Sequence, residues 1–288
     1  MLMSQLLRYL FLMCVCWLSS CAQQLPEERL LPFPWQPRQG IAGDTIWVEV
    51  PNAVAAPLRV YLRTEVPALR EALAAFPPWH IVAPGDTLRL RLPRPEGIDL
   101  PPQPIRAGAN LGDPQLTHPD SRVRYRFPFP LDKTYQVLQG YHGQFSHQEG
   151  VSTYAIDFDL AMGDTVCAAR DGVVVGLIDG YTIGGPDAKF RPFANSINLY
   201  QADGTVAQYT HLAPHSALVA LGDSVHAGQP LATVGLTGFT DGPHLHFCVI
   251  AVDSTGTDRG VPVRFGQTAG ATLKRGMEVR HAVPYGRP

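Results

Sequence analysis

The sequence has few charged residues and almost no net charge. Charged side chains make up 17% of the 288 residues, and the formal net charge is -2. A protein that binds nucleic acid through its phosphates needs a stripe of Lys and Arg, and this composition implies none. We therefore do not expect nucleic acid to be a partner.

Cysteine is also scarce. Only Cys21, Cys167 and Cys248 follow the first twenty residues. If Cys21 is modified, Cys167 and Cys248 suffice for a single disulfide in an oxidising compartment. We treat both as small buried hydrophobic residues.

Helical patterns are rare, whereas strand and turn signals are frequent. The segment from Pro67 to Phe76 is the one plausible helix, with proline near its first turn. The chain has 27 Gly and 27 Pro, dispersed among Val, Thr, Tyr and Leu. This punctuation is typical of many short strands, so we predict a mainly β, antiparallel protein.

A long apolar run stands at the N-terminus. Arg8 precedes the run from Tyr9 to Leu18, and Ser19 and Ser20 lead to Cys21, a layout typical of an export signal. Leu18-Ser19-Ser20-Cys21 resembles the lipobox of bacterial lipoproteins. The resemblance implies a signal peptide over 1–20, a lipid on Cys21 and, with Ala22 next, the periplasmic face of the outer membrane. The alternative is an ordinary secreted protein with an incidental cysteine.

Residues 21–119 predict a small β-sandwich-like accessory domain. Strand patterns cover Thr45 to Val50, Leu58 to Arg63 and Thr87 to Leu92, the last alternating leucine and arginine as a half-buried strand does. No cluster of catalytic residue types occurs here. A Pro-rich stretch from Pro93 to Pro104 then predicts a linker or a long loop.

Residues 120–288 predict a second β-domain with polar residues at strand ends. A loop from Gly140 to Gly150 carries His142 and His147 and leads into a strand pattern with Asp157. Alternation places Asp157 and Asp159 on the face opposite Ile156, Phe158 and Leu160.

This second region also contains an internal repeat. Gly163 to Leu177 resembles Gly222 to Leu236 at a constant offset of 59, and each copy predicts a turn, a strand, a tight turn and a second strand. We expect two related hairpins in a folded-over antiparallel sheet. Between the copies, Asp203-Gly204 predicts the turn of another hairpin, with His211 near the end of its second strand.

His244 and His246 lie where a further strand begins. If the strand includes both, alternation places the two imidazoles on one face about 7 Å apart. A lone His-x-His is weak evidence for a metal, but companions occur earlier in the chain. Two histidines and one carboxylate are the ligand set of a catalytic zinc, whose fourth position holds water. The candidates are four histidines and one carboxylate: His147, His211, His244, His246 and Asp157.

Four motifs occur in the same order along the chain as in a known family. They are Tyr-Ala-Ile-Asp-Phe, Gly-Asp-Thr-Val with Asp-Gly-Val-Val, Gln-Tyr-Thr-His-Leu, and Thr-Gly with Gly-Pro-His-Leu-His-Phe, all between 139 and 250. The run resembles the lysostaphin/LytM-type zinc metallopeptidases, which cut peptide cross-links of bacterial cell walls. The resemblance implies that Asp157 and His246 bind one Zn²⁺ per chain and that His211 and His244 assist catalysis.

The first metal ligand departs from the commonest family pattern. Many members have a histidine four residues before the aspartate, where this chain has Thr153. His147 lies ten residues before Asp157 and is our preferred match, since some members have this longer form. His142 is the alternative ligand. Asp159 is expected in an exposed strand position, with support of a histidine ligand as the alternative. Asn195 matches an asparagine near the family's cleft, and a turn position is the alternative. The histidines without companions are expected in surface or loop positions: His80, His118, His215, His226 and His281.

The resemblance implies a zinc endopeptidase that acts on peptidoglycan stem peptides or cross-bridges. Two other functions remain open at this point. One is a catalytically inactive relative that binds the wall or activates an amidase, and the other is a metallopeptidase with a target outside the wall.

Overall fold

The computed structural model describes residues 24–281. The predicted signal peptide and Cys21 lie outside the described residues, so the lipid anchor and the location of the protein stay predictions. Within 24–281, no helix combines the length and the apolar character needed to cross a membrane.

The first part of the described chain forms two small antiparallel sheets. One has the strand order β1-β2-β5 and the other β4-β3-β6. The strands are β1 (Arg38–Ala42), β2 (Thr45–Pro51), β3 (Leu58–Arg63), β4 (His80–Val82), β5 (Thr87–Pro93) and β6 (Arg106–Leu111). The predicted helix is α1 (Pro67–Ala74), with Pro67 in its first turn and Leu69 buried. In β2 every second side chain, starting at Ile46, is buried, as in a strand of a sandwich.

A larger, nine-stranded sheet dominates the rest of the chain. Its order is β14-β10-β12-β13-β17-β8-β7-β21, and β18 also pairs with β17. Its strands are β7 (Thr134–Gln139), β8 (Ile156–Phe158), β10 (Gly172–Ile178), β12 (Ser196–Tyr200), β13 (Val206–Thr210), β14 (Ser224–Val225), β17 (Leu245–Val252), β18 (Asp258–Gly260) and β21 (Glu278–Arg280). The predicted Asp-Gly hairpin is the pair β12–β13. The mainly β, antiparallel fold predicted from the sequence is confirmed.

Short elements complete the second part. Three two-stranded sheets are formed by β9 (Thr165–Cys167) with β15 (Pro230–Thr233), β11 (Gly184–Gly185) with β16 (Gly238–Phe239), and β19 (Arg264–Phe265) with β20 (Thr268–Ala269). Three 3₁₀ turns span Gly150–Ser152, Ala188–Phe193 and Gly270–Thr272.

The two copies of the internal repeat exchange strands, which corrects the predicted hairpins. β9 of the first copy pairs with β15 of the second, and β10 of the first pairs with β14 of the second. β10 also pairs with β12 along five residues. The pattern of a short apolar strand is the same whichever strand is its partner, so the repeat alone did not distinguish exchange from hairpins.

Two hydrophobic clusters form the core. The larger one packs under the nine-stranded sheet and includes Phe158, Tyr209 and Phe247. The smaller one lies between the two N-terminal sheets but also takes in Val175 of β10, so the N-terminal sheets pack against the larger sheet. The predicted domain limits at 20/21 and 119/120 stay predictions.

Candidate metal centre

The site is built on a single row that crosses five strands of the nine-stranded sheet. Ser196 pairs with Thr210, Thr210 with His246, His246 with Asp157, and Asp157 with Gln139. Neighbours such as Leu245 and Phe247 point to the opposite face, into the larger core. The alternation of β17 therefore buries its apolar residues and places His246 with Asp157.

Three potential ligand atoms converge on this row. Asp157 Oδ1 lies 2.9 Å from His246 Nδ1 and 3.2 Å from His147 Nε2. The two imidazole nitrogens are 3.2 Å apart. All three residues are buried, and His147 has no exposed surface. His147 reaches the row from the loop between β7 and β8.

These distances fit a zinc ion. A circle through the three atoms has a radius of about 1.8 Å, slightly less than the 2.0–2.2 Å that zinc keeps from nitrogen and oxygen ligands. A common point at bonding distance therefore exists just outside their plane. Two neutral imidazoles and a carboxylate also have the chemistry of a catalytic zinc ligand set.

Neighbouring groups orient the three side chains. His147 Nδ1 donates a hydrogen bond of 3.0 Å to the Gly140 carbonyl, which leaves the lone pair of Nε2 facing the cluster. Gln139 Nε2 donates to Asp157 Oδ2 at 2.9 Å, so the other carboxylate oxygen faces the histidines. A register shift between Val137 and Gln139 places Gln139 opposite Asp157.

Two further histidines lie beside the cluster. His244, one residue before β17, has its Nε2 atom 3.8 Å from Asp157 Oδ1 and its Nδ1 atom 3.0 Å from the Gly242 carbonyl. His211 follows β13, and its Nδ1 donates to the Thr237 carbonyl at 2.7 Å. The centroids of the His211 and His244 rings are 4.6 Å apart. In each ring the carbonyl bonded to Nδ1 requires a proton on that nitrogen, so Nε2 is the nitrogen that could accept one.

The pKa values of the clustered groups are shifted by burial and by one another. Burial is the largest influence on Asp157 and raises its pKa, but hydrogen bonds from His147 and His246 outweigh it and hold the pKa well below its usual value. For His147, burial lowers the pKa, but the hydrogen bond and charge of Asp157 prevail and raise it. Asp157 is therefore ionised, as a metal ligand must be.

His211 and His246 favour the neutral form. Burial, followed by the charges of His244 and His246, lowers the pKa of His211 to about 3. Burial also lowers the pKa of His246, although Asp157 opposes this shift. Neutral imidazole is the form that binds metal or accepts a proton.

The cluster opens into a groove of about 380 Å³. His211, His246 and Thr210 form its floor, and Ser146, Glu149 and Arg191 are among its other lining residues. The groove therefore leads to His211 and His246.

The other candidate residues lie away from the cluster. His142 is exposed, adopts a positive φ of 58° and packs against the ring of Tyr154. Asp159 is exposed, as are His118, His215 and His226, whereas His80 and His281 are half-buried. Cys167 and Cys248 are free and buried. Cys248 follows His246 on the same face of β17, with Sγ 3.9 Å from Gln208 Oε1.

Asn195 acts as a structural link. Its buried amide side chain bonds the backbone N–H and carbonyl of Tyr181, and its backbone N–H donates to Thr237 Oγ1. Since the Thr237 carbonyl in turn accepts the hydrogen bond of His211 Nδ1, Asn195 helps to fix His211.

The residues that orient the site were not identified from the sequence. Gln139, Thr237 and Thr240 hold Asp157, His211 and His244 respectively. Gln139 and Thr237 fall inside the motif run, but spacing alone gave no sign that they contact site residues. The contacts of Gln139 and Thr237 depend on long-range strand and loop placement.

A buried His-Asp-His cluster at the edge of a groove defines a candidate metallohydrolase. Residues 151–264 match the sequence profile of Peptidase family M23, so this part of the chain is an M23 peptidase domain. The matched range begins after His147, whose place in the cluster therefore rests on geometry.

Curated relatives include two endopeptidases. Glycyl-glycine endopeptidase ALE-1 of Staphylococcus capitis is 34% identical over 42% of this chain and 31% of its own length. Peptidoglycan DD-endopeptidase ShyB of Vibrio cholerae serotype O1 is 29% identical over 42% of this chain and 27% of its own length. The chain spans less than a third of the length of these relatives.

Among solved structures, the catalytic domain of the antimicrobial peptidase lysostaphin from Staphylococcus simulans is similar. The sequence identity is 27% over 44% of this chain and 87% of that chain, with a TM-score of 0.30. At this TM-score, the similarity to this chain rests on sequence alone.

Proposed function

We propose that the protein is a zinc-dependent endopeptidase that hydrolyses peptide bonds in peptidoglycan stem peptides or cross-bridges. The observation that carries the proposal is the convergence of His147, Asp157 and His246 within 3.2 Å of one another, beside two further imidazoles and a groove. The match to Peptidase family M23 and the named activities of the relatives support it.

In this proposal His147, Asp157 and His246 hold the zinc. The bound ion supplies an acidified water molecule and polarises the carbonyl of the scissile bond. Burial of the three ligands excludes competing water from the cluster, and the carbonyl of Gly140 and the amide of Gln139 keep them in place.

His244 is our candidate for the general base. Its Nε2 lies 3.8 Å from Oδ1 of Asp157, a member of the ligand cluster. As a neutral ring it accepts the proton of the attacking water and later delivers a proton to the leaving amine.

His211 is our candidate for the group that stabilises the oxyanion. It lines the groove beside His244. The free ring is neutral with its proton on Nδ1, so it would stabilise the oxyanion only after Nε2 has taken up a proton during the reaction. Because both rings have Nδ1 fixed by a carbonyl, the roles of His211 and His244 are exchangeable.

We further propose that the protein is exported and anchored by a lipid on Cys21, at the periplasmic face of the outer membrane. The N-terminal sandwich then acts as an accessory domain next to the anchor. Mass spectrometry of the mature N-terminus tests this: an acylated Cys21 is expected, and an unmodified Ala22 or a later start contradicts it.

The activity is tested by digesting purified cell wall with the mature protein. We expect new free amino termini to appear, to be suppressed by a chelator and to be restored by Zn²⁺. Failure to release them from wall preparations by zinc-loaded protein contradicts the proposal.

The ligand assignment is tested with a matched pair of histidines from one loop. His147→Ala should abolish zinc binding and activity, because it removes one of three ligands. The exposed His142 is the control, and His142→Ala should keep both. Metal analysis of the purified variants decides, and the reverse result makes His142 the ligand.

A further inference from the structure

The groove beside the cluster holds one exposed group of each charge. Arg191 lies in the 3₁₀ turn Ala188–Phe193, and Glu149 lies in the loop two residues after His147. Both line the groove whose floor includes His211 and His246. Charged side chains that line a groove next to reacting groups act on whatever binds there.

Neither charge is satisfied within the protein. Among residues 24–281 no ion pair involves Arg191 or Glu149, although they share one groove. Lys189, two residues before Arg191 in the same turn, does pair with a carboxylate, at 3.1 Å from Asp187. The isolation of Arg191 is therefore not a property of the whole turn.

An aromatic stack supports the guanidinium of Arg191. The Arg191 guanidinium carbon lies 5.1 Å from the ring centroid of Phe239. Phe239 in turn stacks on Phe145, with centroids 4.9 Å apart and an angle of 12° between the rings. Stacking on an aromatic face restrains a guanidinium while leaving its N–H groups free for a carboxylate.

We propose that Arg191 selects peptides with a free carboxylate next to the scissile bond. Glu149 then binds an ammonium group of the same substrate. This inference rests on the proposed function. The substrate class is then a charged stem-peptide cross-link. An oligoglycine bridge has no side-chain charge in this region, so it leaves Arg191 and Glu149 without partners and binds less well.

Arg191 is tested with three synthetic substrates and three variants. Two cross-linked stem peptides differ only in whether the carboxylate beside the scissile bond is free or amidated, and the third substrate is pentaglycine. The variants are Arg191→Gln, Arg191→Lys and the control Lys189→Gln, which removes a nearby positive charge outside the groove.

We expect the unmodified protein to cleave the free-acid peptide with a kcat/KM about tenfold or more above that of the amidated peptide, as for other charge-assisted hydrogen bonds. Arg191→Gln should lower kcat/KM for the free-acid peptide, mainly through KM, to about the value for the amidated peptide, with full zinc content. Arg191→Lys should keep part of the preference, because a lysine retains the charge without the planar fork. Lys189→Gln should keep the full preference for the free-acid peptide.

Glu149 is tested by acetylating the amine of the free-acid peptide that it is proposed to bind, which removes the positive charge of that amine. We expect acetylation to reduce kcat/KM for the unmodified protein and to have no effect on Glu149→Gln. Raised ionic strength should weaken both preferences, since the two groups are exposed.

The outcomes separate this inference from the proposed function. Equal cleavage of free and amidated peptides, or a preference that survives in Arg191→Gln, overturns the role of Arg191 and leaves the endopeptidase in place. Pentaglycine cleaved faster than either stem peptide overturns the substrate class. No cleavage of any substrate by zinc-loaded protein overturns both proposals.

Discussion

Asp157 is the residue on which the candidate site depends most. One of its oxygens lies next to both candidate histidine ligands, and the other accepts the hydrogen bond of Gln139. A carboxylate buried in this way remains ionised because its hydrogen bonds outweigh the effect of burial on its pKa. Its orientation is set by an uncharged neighbour, Gln139, on the adjacent strand.

Gln139→Leu tests this orienting role. The change removes the 2.9 Å hydrogen bond to Asp157 Oδ2, so the carboxylate is free to rotate, and we expect zinc affinity to fall about 10- to 100-fold. Competition with a fluorescent zinc chelator measures the affinity.

Gln144→Leu is the matched control, because Gln144 is exposed and its side chain makes no hydrogen bond in the described structure. It should bind zinc as the unmodified protein does. An unchanged affinity in Gln139→Leu would show that the strands alone orient Asp157.

At the scale of elements, the hairpin β12–β13 holds together two regions that are distant in sequence. Its turn residue Gly204 has a φ of 78°, and Thr117 Oγ1 donates to its carbonyl. The His118 backbone N–H donates to the carbonyl of Asp203 at 2.8 Å. The segment between the predicted domains is thus fastened to this turn.

Gly204→Ala tests the close approach of the Leu116–Thr117 backbone to Gly204. A Cβ atom there would lie 2.5 Å from the Leu116 carbonyl oxygen, in addition to the strain of a positive φ. We expect a loss of about 2–4 kcal/mol in the free energy of unfolding, measured by denaturant titration.

Gly222→Ala separates the two causes. Gly222 has a φ of 91°, but a Cβ atom there meets nothing within 4 Å. This variant should lose only about 1–2 kcal/mol, the cost of the backbone conformation alone. Equal losses in the two variants would mean that the segment around Leu116 moves aside without cost.

At the scale of the whole molecule, a buried ion pair joins the N-terminal sheets to the larger sheet. Arg59 of β3 is 2% exposed, and its Nη2 atom lies 2.6 Å from Asp258 Oδ1 at the start of β18. Asn110 of β6 donates to the other oxygen of Asp258 at 3.0 Å. The contact crosses the interface also formed by Val175 in the smaller core.

Asp258→Asn should destabilise the protein by about 2–3 kcal/mol, since it leaves the Arg59 charge buried without its counter-ion. Denaturant unfolding measures the loss. The control is Glu49→Gln on β2, whose partners Arg38 and Arg89 are 64% and 69% exposed, and it should cost under about 1 kcal/mol. A smaller loss for Asp258→Asn than for Glu49→Gln would argue against a structural role for the buried pair.

The sequence by itself determined the class of fold and most of the strands. Period-two alternation with Gly and Pro between runs predicted β2, β3, β5 and the Asp-Gly hairpin, because burying one face of a strand leaves this local pattern. The motifs also named Asp157 and His246, and His147 was preferred to His142 as the third ligand; the structure brings His147, Asp157 and His246 together.

Only the tertiary structure decided which strands pair and which groups orient the site. The exchange of β9 and β10 with β15 and β14 leaves no local pattern, because a strand shows its buried face but not its neighbour. Gln139, Gly140 and Thr237 act through atoms, two of them backbone carbonyls, that come close to the histidines and Asp157 only when distant segments meet. The sequence specifies which faces are buried, and chain-wide packing sets the distances on which the chemistry depends.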